Sequence, residues 1–154
     1  MSEWKLPWDG GCRCGETGIR VSAPPLLASE CHCTGCQRMT ASAFSLTLSV
    51  PSDGFAVTAG SPTIGGLHGA TRHYFCPRCL SWMFTRPEGL DEIVNVRPTM
   101  LDDCRWFVPY IEVWTDARLP WAATPAVKSY LTTPAFEEYA GLIADFAQHG
   151  ARPG

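Results

Sequence analysis

The chain has 154 residues, 45% apolar, 18% charged and 11% aromatic, with a formal net charge of −3 and an isoelectric point near 5.7. This length predicts a single domain spanning residues 1–154 with a substantial core, and the apolar share excludes a disordered chain. No run approaches the roughly 18 apolar residues of a membrane span, Met1-Ser2-Glu3-Trp4-Lys5 has no secretory pattern, and the acidic balance gives no bulk electrostatic case for nucleic acid. The expectation is a cytoplasmic protein without a membrane or nucleic-acid partner.

Glycine (14) and proline (13) are frequent, so turns should be many and long helices few. Residues 1–11 form a lead-in containing tryptophan and glycine. Ile19-Arg20-Val21-Ser22 alternates and reads as a strand end, stopped by Pro24-Pro25. Residues 31–39 are turn-rich and pass into a short helical turn. Residues 43–50 alternate cleanly and are the clearest strand. Pro51-Ser52-Asp53-Gly54 is a turn, and residues 55–58 are another short strand. Residues 60–70, rich in glycine and carrying Pro62, read as a loop. Residues 71–75 and 80–85 predict a hairpin whose turn carries Cys76-Pro77-Arg78-Cys79, a zinc-knuckle arrangement that points backbone N–H groups at thiolates. Residues 92–96 and 108–114 are further strands.

The tail predicts a helix over residues 133–149, packed on this β domain. Thr133 is its N-cap and Pro134 its first position. Glu137 and Glu138 lie near the positive end of the dipole, and Gly150 ends it. Phe136, Tyr139, Ala140, Ile143 and Phe146 form its apolar stripe. Gly141 costs about 1 kcal/mol relative to alanine inside a helix, so that stripe must dock, on the core or on a partner.

Seven of the eight cysteines fall in three groups: Cys12 with Cys14, Cys31 with Cys33 and Cys36, and Cys76 with Cys79. Clustered cysteines without a secretory signal point to metal rather than to disulfides. Cys104 stands alone and reads as an inert thiol. Zinc takes four ligands in a closed structural site and three protein ligands with an open position in a catalytic one. The seven divide as four plus three. Cys12, Cys14, Cys76 and Cys79 come from distant pairs and suit a structural zinc that clamps the fold. Cys31, Cys33 and Cys36 are contiguous and leave a position open. His32, His68, His73 or an aspartate-type oxygen could fill it, although His32, between two ligand cysteines, should point away. Three thiolates make zinc a weak Lewis acid, better suited to holding an exogenous thiol as thiolate than to sharpening a water.

Gly11-Cys12-Arg13-Cys14-Gly15, Cys31-His32-Cys33-Thr34-Gly35-Cys36-Gln37-Arg38 and Phe75-Cys76-Pro77-Arg78-Cys79, with Leu101-Asp102-Asp103 and Pro109-Tyr110-Ile111-Glu112-Val113-Trp114, resemble the glutathione-dependent formaldehyde-activating enzyme family, whose relatives include centromere protein V. The resemblance spans about residues 10–121. It implies a mainly β fold of stacked antiparallel sheets (a β-tent zinc fold), two zinc ions per chain, and the same four-plus-three assignment. It also implies carbon–sulfur lyase activity that interconverts S-hydroxymethylglutathione with glutathione and formaldehyde. Two departures stand out. Leu80 follows the last knuckle cysteine where the family usually has glycine, and Ala41-Ser42-Ala43 replaces a frequent glycine-alanine.

The expected function is therefore a zinc-dependent carbon–sulfur lyase acting on a thiol–aldehyde adduct, with a small thiol such as glutathione as partner. The alternative is a non-catalytic, zinc-stabilised protein-interaction module whose triplet is closed by a fourth protein ligand. For an anionic thiol, Arg13, Arg38, Arg72, Arg78 and Arg97 are candidate contacts, and Trp82, Trp106, Trp114 and Trp121 candidate walls.

Overall fold

The computed structural model describes residues 3–67 and 69–154. In chain order the elements are β1 (Trp8–Gly11), β2 (Gly18–Val21), β3 (Leu27–Cys31), α1 (Thr34–Thr40), β4 (Ser45–Pro51), β5 (Phe55–Ala59), β6 (Thr63–Gly65), β7 (Arg72–Phe75), β8 (Trp82–Arg86), β9 (Ile93–Val96), β10 (Ile111–Val113), β11 (Lys128–Ser129) and α2 (Tyr139–His149). The mainly β fold with a C-terminal helix is as expected. One sheet has the order β1-β2-β5, and the other β11-β10-β3-β4-β9-β8-β7-β6.

Period-two alternation explains the central strands. In β4, Leu48 and Val50 are fully buried, as are Val94 and Val96 opposite them in β9 and Ile19 and Val21 in β2. Those residues, with Met83 and Phe84 of β8, form the shared core. Most pairs are antiparallel, but β10 runs parallel to both β3 and β11. The strand expected over residues 108–114 shrinks accordingly to Ile111–Val113. Pro109 has no N–H to give a ladder, and Trp114 turns into the left-handed region at φ 56°.

Four strands lie where the sequence signalled none, the two-residue β11 beside β10 among them. In the lead-in, β1 pairs with β2 in register Trp8↔Val21, and Gly10 bridges Leu101. A Cβ at Gly10 would collide with the Met100 carbonyl oxygen, so close approach of the two backbones requires glycine there. β3 fills the stretch between Pro25 and the turn-rich segment, for which no element was expected, and ends at Cys31. Within the expected loop 60–70, Thr63–Gly65 adds an exposed edge strand to β7. The hairpin strand expected from residue 80 begins instead at Trp82, because Leu80 takes φ 59°.

The helix also differs from expectation. Residues 136–138 form a 3-10 turn, and α2 begins only at Tyr139. Glu138 accepts the Ala135 N–H at 2.8 Å, which places the cap at Ala135 rather than at Thr133. The docked face is Tyr139, Leu142 and Phe146; Phe136 is 81% exposed. Gly150 ends the helix by steric need, since a Cβ would run into the Phe146 ring. α2 packs on β3. Phe146 also meets Trp4 at 5.7 Å and Tyr110 at 5.6 Å between ring centroids, so the N-terminal segment and the helix close the same corner of the core. No helix among the described residues is long and apolar enough to cross a membrane.

Candidate metal centres

All eight cysteines are free thiols, which excludes the disulfide reading. The turn after β1 carries Cys12 and Cys14, and the β7–β8 turn carries Cys76 and Cys79. The four sulfurs lie within 4.8 Å of one another. Cys12 Sγ is 3.6 Å from Cys14 Sγ, which is 3.7 Å from Cys76 Sγ. A tetrahedron of sulfurs 2.3 Å from zinc has edges of about 3.8 Å, so this donor set fits the ion. The Thr17 N–H donates to Cys12 Sγ at 3.3 Å, which disperses thiolate charge. Ser81 lowers the Cys79 thiol to about 5, through its side chain first and then its backbone N–H. Against the Glu16 backbone N–H, Cys14 is raised to about 12 by desolvation and by the thiols of Cys12, Cys79 and Cys76. Four thiols held this close cannot all ionise without a cation among them.

Cys31 ends β3, and Cys33 and Cys36 flank the start of α1. Their sulfurs also lie within 4.8 Å of one another, and among the described residues no further cysteine, histidine, aspartate or glutamate joins the group. Cys33 caps α1 by accepting the Cys36 N–H at 3.3 Å. The Cys36 thiol is lowered to about 5 by a hydrogen bond from Cys31, against the cost of burial, with Ser45, Cys33 and the charge of Arg97 assisting. Cys31 is raised correspondingly, chiefly by Cys36. Gln37 Nε2 donates to the His32 carbonyl at 2.7 Å and to that of Ala117 at 3.0 Å, fixing the loop between Cys31 and Cys33.

His32 points away from the sulfurs, as its position between two cysteines predicts. It is fully buried, with Nε2 2.9 Å from Glu112 Oε2 and 3.4 Å from Glu30 Oε1. The parallel register of β3 and β10 sets Glu30 opposite Glu112. Burial pushes the Glu30 carboxyl up, against a hydrogen bond from Thr124. The Glu112 carboxyl is held low despite burial by Ser129, His32, Glu30 and Arg118. The two carboxyls are thus pushed in opposite directions, and Glu112, 2.9 Å from Nε2, is the one that anchors His32 and hence the loop bearing the triplet. Sequence reasoning gave Glu30 and Glu112 no role, because only a strand pairing 82 residues apart in sequence brings them together. His73 bonds Thr85 through Nδ1 at 2.9 Å and joins no metal group; His68 lies outside the described residues. Cys104 joins none either.

One helical turn from the triplet is a cavity of about 410 Å³, lined by Thr40, whose hydroxyl donates to the Cys36 carbonyl at 2.8 Å. Of the candidate arginines only Arg97 lines it. Arg78 is paired with Glu16 at the surface, and Arg13, Arg38 and Arg72 are exposed. Of the candidate tryptophans only Trp82 lines it. Trp106 packs with Trp4 and Trp8, and Trp114 and Trp121 are exposed on the surface. Arg97 is 8% exposed, and burial lowers its guanidinium to about 10, opposed by the thiols of Cys36 and Cys31, so it stays charged at neutral pH.

Comparison with known proteins follows the same outline. Residues 7–117 match the sequence profile of the glutathione-dependent formaldehyde-activating enzyme family. No curated protein matches the sequence significantly. A crystal structure of a Rhodobacter sphaeroides protein is similar in fold at 22% identity and a TM-score of 0.51, over 61% of this chain and 87% of that one.

Proposed function

The chain belongs to the family of glutathione-dependent formaldehyde-activating enzymes, and from that premise we propose that it is a zinc-dependent carbon–sulfur lyase acting on a thiol–aldehyde adduct. The family's example is S-hydroxymethylglutathione, formed from glutathione and formaldehyde. The observation that carries this reading is an asymmetry between the two sulfur groups: one offers four sulfurs, the other three with no fourth donor among the described residues. We assign Cys12, Cys14, Cys76 and Cys79 to a structural zinc. Cys31, Cys33 and Cys36 are assigned to a catalytic one whose fourth position takes the substrate thiol.

Zinc bound at the triplet would hold an incoming thiol as thiolate near neutral pH. The chain's own residues supply position and environment. The Glu112–His32 contact and the two Gln37 hydrogen bonds keep the Cys31–Cys33 loop in one conformation. Arg97, close enough to bias the Cys36 thiol, offsets the excess negative charge of several thiolates in one place. Eight unpaired thiols fit a reducing, cytoplasmic location.

The test is metal content followed by cobalt substitution. The expected result is two zinc ions per chain, one of them released readily by a mild chelator. Glutathione should then alter the visible spectrum of cobalt at the triplet. Equal resistance of both ions, together with a spectrum indifferent to glutathione, cysteine and other biological thiols, would overturn the assignment.

A further inference from the structure

The cavity near the triplet is far larger than formaldehyde needs. Its volume of about 410 Å³ lies in the range of pockets that hold whole organic ligands, whereas one water occupies about 30 Å³ of liquid. Its walls are mostly apolar: Met39 from α1, Phe44 just before β4, Leu46 of β4, Trp82 of β8 and Met100, with the hydroxyls of Thr40, Ser42 and Thr99 between them; the one charged group lining it is Arg97. Glutathione carries two carboxylates and an ammonium, whereas these walls offer one cation and no carboxylate.

The Arg97 side chain is held in place and under-used. Its Nη1 donates to the Leu46 carbonyl at 3.0 Å, its Nη2 to Thr85 Oγ1 at 3.4 Å, and its guanidinium carbon lies 3.9 Å from the Trp82 ring centroid. Trp82 Nε1 donates to the same Thr85 oxygen at 3.1 Å. With two donors already on it, the Thr85 hydroxyl gives its proton to His73 Nδ1. Nε is buried without a partner and lies out of a ligand's reach. Each Nη uses one of its two N–H groups in these bonds, so a fixed cation with a spare donor on each Nη lines a largely apolar chamber near the thiols.

We propose that this cavity binds the carbonyl partner of the reaction, a compound with an apolar body rather than formaldehyde alone, and that Arg97 is the catalytic residue that binds its oxygen. The inference rests on the thiol–aldehyde reading above and deepens it to a substrate class. As the thiolate sulfur attacks, the S–C bond forms and the C=O π pair moves onto oxygen. The resulting alkoxide sits against the Arg97 N–H groups and takes a proton from water to give the neutral adduct; cleavage runs the same steps in reverse. A fixed cation in an apolar surround needs little reorganisation to meet that charge, which is the condition for oxyanion stabilisation.

The test pairs binding with turnover on the zinc-loaded protein. Fluorine NMR titrations use 4-fluoroacetophenone, an unreactive carbonyl probe, and 1-ethyl-4-fluorobenzene, which lacks the oxygen. The ketone should bind the wild type more tightly than the hydrocarbon. Arg97→Gln should weaken the ketone about 10- to 100-fold, the range for losing a charged hydrogen bond, and leave the hydrocarbon unchanged. Met39→Trp, which fills the chamber and keeps Arg97, should abolish binding of both at unchanged zinc content, and it decides the matter if Arg97→Gln fails to fold. Equal binding of the two probes, no binding of either, or indifference to both substitutions overturns the proposal. With glutathione present, butanal and phenylacetaldehyde should be converted to adducts faster than formaldehyde, and Arg97→Gln should remove that preference. Arg97-dependent ketone binding without turnover of any aldehyde fails the reaction reading but not the site. Turnover indifferent to Arg97 fails the site but not the reaction.

Discussion

Replacing Leu80 by glycine and, in a second variant, by alanine measures the strain that the knuckle stores. Leu80 follows Cys79 at φ 59° and is 68% exposed. Its N–H donates to the Cys76 carbonyl at 2.9 Å, while the Cys76 N–H donates to Ser81 at 3.1 Å, so the turn cannot relax without losing both bonds. A residue with a Cβ pays about 1–2 kcal/mol in this region. Glycine escapes that cost but loses about 0.5–1 kcal/mol more conformational freedom on folding. Both variants delete the leucine contacts, so their difference isolates the backbone effect. Glycine should be the more stable by about 1 kcal/mol, or roughly 2–4 °C in Tm for a chain of this size. At an ordinary negative φ the sign would reverse. Thermal and urea unfolding of the metal-loaded variants, side by side, gives the comparison. An alanine variant as stable as the glycine one would refute the reasoning, because it would mean that the turn is not held left-handed.

Ala41, the C-cap of α1 at φ 51°, stands at the other departure from the family's glycines, and Ala41→Gly should stabilise by about 0.5–1 kcal/mol in urea unfolding. Cys33→Ser should remove one metal equivalent and leave the near-ultraviolet circular dichroism intact, whereas Cys76→Ser should abolish the folded signal; the reverse pattern would show the two metal roles to be exchanged. Phe146→Ala should cost about 3–5 kcal/mol of unfolding free energy, since the ring is fully buried between Trp4 and Tyr110. Glu112→Gln carries a pH signature. The Glu112 carboxyl is held below its ordinary value of 4.5, so its contribution is full above that value and disappears as pH falls through the lowered folded one. The stability gap between wild type and variant should therefore be widest near neutrality and narrow in acid; a gap constant with pH would deny the carboxylate its role.

The sulfur division was legible because ligand chemistry is local. A C-x-C or C-x-x-C places two thiols near one point whatever the rest of the chain does, and the grouping of Cys12, Cys14, Cys76 and Cys79 apart from Cys31, Cys33 and Cys36 emerged intact in space. The strand read over residues 43–50 was nearly as plain, since Leu48 and Val50 alternate with less buried neighbours in β4, which runs Ser45–Pro51. β5 was legible from its β-forming residues rather than from alternation, since only Phe55 is buried. The edge strand at Thr63–Gly65 was hidden because its existence depends on β7 lying beside it. The parallel pairing of β10 with β3 was hidden for the same reason, and with it the Glu30–His32–Glu112 contact. Five arginines looked alike in the sequence, and the packing of β8, β9 and α1 buried Arg97 against Trp82 and left Arg13, Arg38 and Arg72 at the surface. Which atoms can bind a metal follows from residue type and spacing; which charge is buried beside them is decided only when distant strands meet.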